Sequence, residues 1–169
     1  MKTNFFKSKS AALILAFALL MMFNACKKEE NSNDGYMMRF KVNGAQVEFK
    51  TQASLVAAFG QSGNIFNGVF TGYDAKSNIS LQVYDNKAIS ETTFSGYALV
   101  GSSFVGALIG YQDNDGTLYT QGSINSDATI KISEMSSTTV RGTFSGTLKA
   151  SGKSDIAITN GEFFVWRAN

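Results

Sequence analysis

The 169-residue sequence predicts an all-β domain behind a short N-terminal leader. Three observations carry this reading. Asn43-Gly44 sits between alternating apolar runs, where both turn residues of a two-residue hairpin must accept positive φ. Strand-like runs recur through the rest of the chain, separated by Gly, Asn, Asp and Ser clusters. Bulky and glycine residues alternate along three of these runs, as one face of a strand would place them. The expected architecture is antiparallel, a β-sandwich or a coiled barrel-like sheet, of about eight to ten strands.

In chain order, the leader comes first. Lys2, Lys7 and Lys9 precede thirteen apolar residues, 11–23. A membrane-spanning helix needs about 20 apolar residues, so this run is short for a permanent span. A basic start, a short apolar centre and the small Ala25 before a cut predict a secretory signal peptide over residues 1–25, with its helix preceding the β domain. Cys26, the single cysteine, follows directly. The arrangement resembles a bacterial lipoprotein signal, in which the cysteine is lipidated and becomes the first mature residue. Phe23 and Asn24 stand where Leu and a small residue are usual; looser versions of the box are common in lipoproteins of the Bacteroidota. One acyl chain binds membranes marginally, whereas several, at about 0.8 kcal/mol per buried CH₂, hold almost permanently. Cys26 is therefore expected to be an acylated, palmitate-type anchor.

Lys27, Lys28, Glu29 and Glu30 follow the cysteine. They resemble the Lys-then-acidic signal that carries Bacteroidota lipoproteins through the outer membrane to the cell surface. The alternatives are a solvated tether without that meaning and a protein on the periplasmic face. Residues 26–35 form the lipidated cysteine and tether. Nine residues, 27–35, reach at most ~30 Å, which keeps the folded part near the membrane.

Residues 36–169 form one domain with a core of its own. Its first hairpin, "MMRFKVNGAQVEFK", pairs Val42 with Ala45, Phe40 with Val47 and Met38 with Phe49 on one face. Arg39 and Glu48 face each other on the other. "ASLVAAF" fits a short helix or a strand, and the connector "GQSG" favours the strand. At the far end, "DIAITNGEFFVWR" predicts a second hairpin at Asn160-Gly161, pairing Ile158 with Phe163 and Ile156 with Val165. Phe164 and Trp166 then share the opposite face, either covered or offered as an aromatic surface, with cover favoured.

The glycine pattern appears at Phe66-x-Gly68-x-Phe70-x-Gly72, Phe104-x-Gly106-x-Leu108-x-Gly110 and Val140-x-Gly142-x-Phe144-x-Gly146. In the third copy Arg141, Thr143 and Ser145 form the solvated side, so the glycines face the core. Each strand glycine costs roughly 0.5–1 kcal/mol relative to Ala. Either the glycines let the sheet coil beneath large rings, or they line a ligand cavity; the chain's fourteen Phe, ten of them in this domain, favour coiling.

"FKVNGAQVEF" and the stretch "GSINSDATIKISEMSSTTVRGTFSGTLKASGKSDIAITNGEFFVWR" resemble a β-rich lipoprotein family of the Bacteroidota whose function is unknown. The resemblance is weakest in the central strands. It implies a small β domain on a lipid anchor and no catalytic residues.

Composition narrows the chemistry. Removing residues 1–25, with three lysines and no acid, from fifteen basic and thirteen acidic residues leaves twelve against thirteen. Such balance predicts no nucleic-acid partner. The absence of histidine removes Ser-His-Asp and Cys-His catalysis and the commonest transition-metal ligand. Asp113, Asp115 and Thr117 match part of a calcium loop, but Ile124 stands where its closing Glu belongs, and Asp115-Gly116 is itself a turn signal. As a glycosidase pair the two aspartates have only proximity. No cofactor is expected. Tyr73, Tyr84, Tyr97, Tyr111 and Tyr119 fall near strand ends or turns and, with Trp166, are the candidate ligand contacts, against amphipathic packing at a core rim. The expected function is a non-catalytic binding or accessory module for a protein or glycan partner, anchored in the outer membrane. The alternative is a lipocalin-like periplasmic carrier of a small apolar ligand.

Overall fold

A computed structural model of the chain describes residues 35–100, 103–121 and 126–168. The signal peptide, Cys26 and the tetrad from Lys27 to Glu30 lie outside the described residues. Twelve strands form one sheet: β1 (Met37–Val42), β2 (Ala45–Phe49), β3 (Val56–Ser62), β4 (Ile65–Tyr73), β5 (Asn78–Asp85), β6 (Thr93–Ser95), β7 (Tyr97–Val100), β8 (Ser103–Gln112), β9 (Leu118–Thr120), β10 (Thr129–Met135), β11 (Thr139–Leu148) and β12 (Ile156–Arg167). The count exceeds the expected eight to ten, and β6, three residues long, is too short to stand out in sequence.

The path runs β6-β10-β11-β12-β3-β4-β5-β8-β7, with β1 and β2 attached to β12 and β9 attached to β8. All pairs are antiparallel except β12 with β3, where Trp166 and Arg167 run parallel to Val56 and Ala57. β6 and β7 end the path, yet they are consecutive in the chain, divided only by Gly96 at φ +61°. The Gly96 N–H donates to the Ala128 carbonyl at 2.8 Å, and its own carbonyl accepts from the Ala107 N–H. One residue thus joins the two ends, and the sheet curls on itself rather than splitting into two layers.

The first hairpin has the expected register throughout, from Met38↔Phe49 to Val42↔Ala45. Arg39 and Glu48 are opposite each other, but the Arg39 guanidinium turns to Glu162 on β12 (Nη2 to Oε2, 2.7 Å) and Glu48 pairs with Lys50 (3.1 Å). "ASLVAAF" divides: Gln52–Ser54 form a 3-10 turn and β3 begins at Val56.

The predicted second hairpin is not formed. β12 runs unbroken through Asn160-Gly161, with Ile158 opposite Gly146 and Ile156 opposite Leu148 on β11. Three residues of β12 span two of β11 (Phe144 to Gly146) and two of β1 (Arg39 to Lys41), so both neighbours see one extra residue. Asn160 absorbs it at φ +51°. The Asn-Gly pair serves a bulge here, because β1 and β11 offer β12 a hydrogen-bonding partner on each edge.

Large rings fill the interior. Phe40 packs against Tyr111 (centroids 5.5 Å, edge-on) and Phe144 (5.6 Å), drawing β1, β8 and β11 together. Phe70 meets Phe163 at 4.9 Å. The glycines of the first and third copies lie beneath such rings: a methyl at Gly72 would strike Phe49 and Met38, and one at Gly142 would strike the Phe163 ring and the Lys131 carbonyl. The second copy is turned the other way. On β8 the buried residues are Ala107, Ile109 and Tyr111, so Phe104, Gly106, Leu108 and Gly110 face outward. On β12, Phe164 and Trp166 are half-buried; Tyr36 stacks on Phe164 at 5.1 Å and the Arg141 guanidinium lies 3.7 Å from its ring centre.

Candidate functional site

Strand alternation gives the curled sheet an outer surface, and charge divides that surface in two. β1, β2, β10, β11 and β12 carry eight charged residues, among them Arg39, Glu48, Lys131, Arg141 and Glu162. β3 to β9 carry one, Asp85 at the end of β5. A protein surface is normally about a quarter to a third charged residues, so an outer face spanning β3-β4-β5-β8-β7 without charge is a specific feature.

Rows across this face follow from the register. Asn67, Tyr84, Gly106 and Tyr97 form one row; Val69, Gln82 and Leu108 the next; Thr71, Ser80, Gly110 and Thr120 a third. Tyr73, Asn78, Gln112 and Leu118 close the face at the β4–β5 turn. The Tyr84 and Tyr97 rings approach to 5.8 Å across Gly106, and Phe104 stacks on Tyr97 at 5.0 Å and 8°. Gly106 is required there. Its φ is +117° and the Gly96 carbonyl occupies the space of a Cβ. Burial first, then the neighbouring Tyr84, pushes the Tyr97 phenol above its ordinary value of 10.0.

The polar side chains are held in place. Tyr84 Oη donates to Gln82 Oε1 (2.7 Å), and Gln82 Nε2 reaches Ser80 Oγ at 3.4 Å. Asn78 Nδ2 donates to Gln112 Oε1 (2.7 Å), and Gln112 Nε2 to the Gly116 carbonyl (3.3 Å). At this end a concavity of about 520 Å³ is lined by Thr71, Tyr73, Asn78, Ser80, Gln112 and the β4–β5 turn. The turn is braced by Asp74, whose Oδ1 accepts from the Lys76 and Ser77 N–H groups, both at 2.8 Å. Those two bonds hold the Asp74 carboxyl below its ordinary 3.8. A second depression, about 250 Å³, lies towards the opposite end between Phe59, Phe66, Asn67 and Arg167.

The residues singled out from sequence part company here. Tyr73, Tyr84 and Tyr97 lie on the uncharged face, Tyr73 with 49% of its surface exposed. Trp166 is half-buried beside Val56, at the β3 margin of that face. Tyr111 and Tyr119 do not belong with them: both turn into the core, 5% and 9% exposed, because their positions on β8 and β9 fall on its inner side. Asp113 is occupied by its own turn. Its Oδ1 accepts from the Asp115 and Thr117 N–H groups (3.0 and 2.8 Å), closing the β8–β9 connection. Among the described residues, no three Cys, Asp or Glu side chains gather as metal ligands. Asn78, Gln82, Gln112 and Phe104 were not foreseen. The signal available was the lack of any charged residue over 51–73 and 92–112, which only the register turns into a face. No family model, no curated protein and no solved structure matches this chain.

Proposed function

We propose that this chain is a lipoprotein anchored through Cys26 in the outer membrane, displayed at the cell surface, and acting there as a non-catalytic binding module. Its working surface is the outer face of β3-β4-β5-β8-β7. The observation that carries the reading is the division of charge, one charged residue on β3 to β9 against eight on the other strands. Charge depletion with exposed Tyr and Phe is the composition of recognition surfaces. The interior filled around Phe40, Phe70 and Phe163 favours a surface binder over a carrier with an internal pocket. Display follows from the resemblance of Lys27, Lys28, Glu29 and Glu30 to an export signal.

Protease shaving of intact cells tests the address. The native protein should be cleaved from the surface. The variant combining Lys28→Ala, Glu29→Ala and Glu30→Ala should be protected while Cys26 still incorporates labelled palmitate. Protection of both proteins would place the module in the periplasm and overturn surface display.

A further inference from the structure

We propose that the concavity at the β4–β5 turn is a subsite for one ring of a neutral polysaccharide; this rests on the reading of the uncharged face as a binding surface. A sugar ring offers a flat C–H side and a rim of hydroxyls that both donate and accept. The concavity supplies a counterpart to each. Tyr73, 49% exposed, gives an aromatic plate beside it. Asn78 spends one amide N–H on Gln112, which leaves its second N–H and its Oδ1 for a ligand. Gln112 spends one N–H on the Gly116 carbonyl and keeps the other. Thr71 and Ser80 add hydroxyls from the floor. The mutual hydrogen bond orients both amides before a ligand arrives, so less freedom is lost on binding.

Other occupants fit less well. A protein interface places apolar side chains at its centre and polar ones at its rim. Here the large exposed side chains stand at the two ends, Tyr73 and Leu118 at one, Leu99, Val100 and Phe104 at the other. Between them run Asn67, Val69 and Thr71 on β4 and Ser80, Gln82 and Tyr84 on β5. An anionic polymer would need guanidinium or ammonium groups along its track; β3 to β9 carry none, and Lys76 of the β4–β5 turn and Arg167 of β12 stand at its two ends. An apolar ligand would need an enclosed cavity. The one carboxylate in the lining, Asp74, is committed to its own turn.

The test uses the full-length protein in lipid nanodiscs, titrated with amylopectin, xyloglucan, galactomannan and mixed-linkage β-glucan, and with polygalacturonate as the anionic comparison. Saturable binding of at least one neutral polymer is expected, with none of polygalacturonate. Tyr73→Ala and Gln112→Ala should each weaken it by roughly tenfold or more, while Lys131→Glu on the charged side leaves it unchanged. Tyr73 is exposed, so its variant should melt with the native protein, which separates lost contact from lost fold. Binding that survives Tyr73→Ala but fails in Phe104→Ala would keep the face and overturn the subsite. Failure to bind any neutral polymer would overturn the sugar assignment, and the shaving experiment would still decide the surface-display reading separately.

Discussion

Gly142 marks where β11 and β12 come too close for any side chain. A Cβ there would run into the Lys131 carbonyl on one neighbouring strand and the Phe163 ring from the other. Overpacking of this kind costs about 1–3 kcal/mol, because backbone cannot retreat as a flexible side chain can. Gly142→Ala should therefore lower the unfolding free energy by that amount, read as a lower denaturant midpoint at unchanged slope. By comparison Gly44→Ala, with nothing within 4 Å, should lose only what its φ of +89° imposes. The reading of the glycines as room for rings was legible in the sequence at Gly142, where Arg141, Thr143 and Ser145 marked the opposite side, and it holds at Gly68 and Gly72 as well. It failed at Gly106. That strand carries no charge on either face, so alternation alone gave no inside and outside, and the core took Ala107, Ile109 and Tyr111 instead. The same ambiguity hid the inward turn of Tyr111.

At the scale of the element, β12 carries the largest departure from expectation. The Asn43-Gly44 hairpin was legible down to its register because turn chemistry, alternation and opposed charges agreed, and nothing competes for β1 until β12 arrives on its free edge. Asn160-Gly161 has the same local signal but continues as a strand. Asn160 adopts φ +51°, and the Gly161 position is closed by the Phe144 carbonyl and ring. Pairing on both edges, to β11 and β1, outweighs a local turn. Such tertiary context is invisible to a window of four residues. A bulge that depends on Asn at positive φ should resist β-branched replacement: Asn160→Val is expected to cost about 1–2 kcal/mol by thermal or chemical denaturation, and Asn160→Gly close to nothing.

For the whole molecule, the open sheet curls until its two ends meet at Gly96, which bonds to Ala128 on one side and Ala107 on the other, and the curl gives an inner and an outer face. The interior was legible as a need, ten Phe within residues 36–169 seeking cover, though its topology was not, since β6 did not stand out as a strand beside the run that became β7. The outside was legible only in part. Tyr73, Tyr84 and Tyr97 stood out as residues, but their assembly with Asn78, Gln82 and Gln112 depends on β5 lying between β4 and β8. We propose that the uncharged half of this outside binds and the charged half does not. The direct measurement is the affinity of intact cells displaying the protein for the neutral polysaccharide it retains, with one lysine placed on each half. Gln82→Lys, at the middle of the uncharged face, should weaken binding by roughly tenfold or more with the melting temperature unchanged, while Thr143→Lys on β11 should have no effect. Equal affinities for the two variants, or loss in Thr143→Lys alone, would contradict the account.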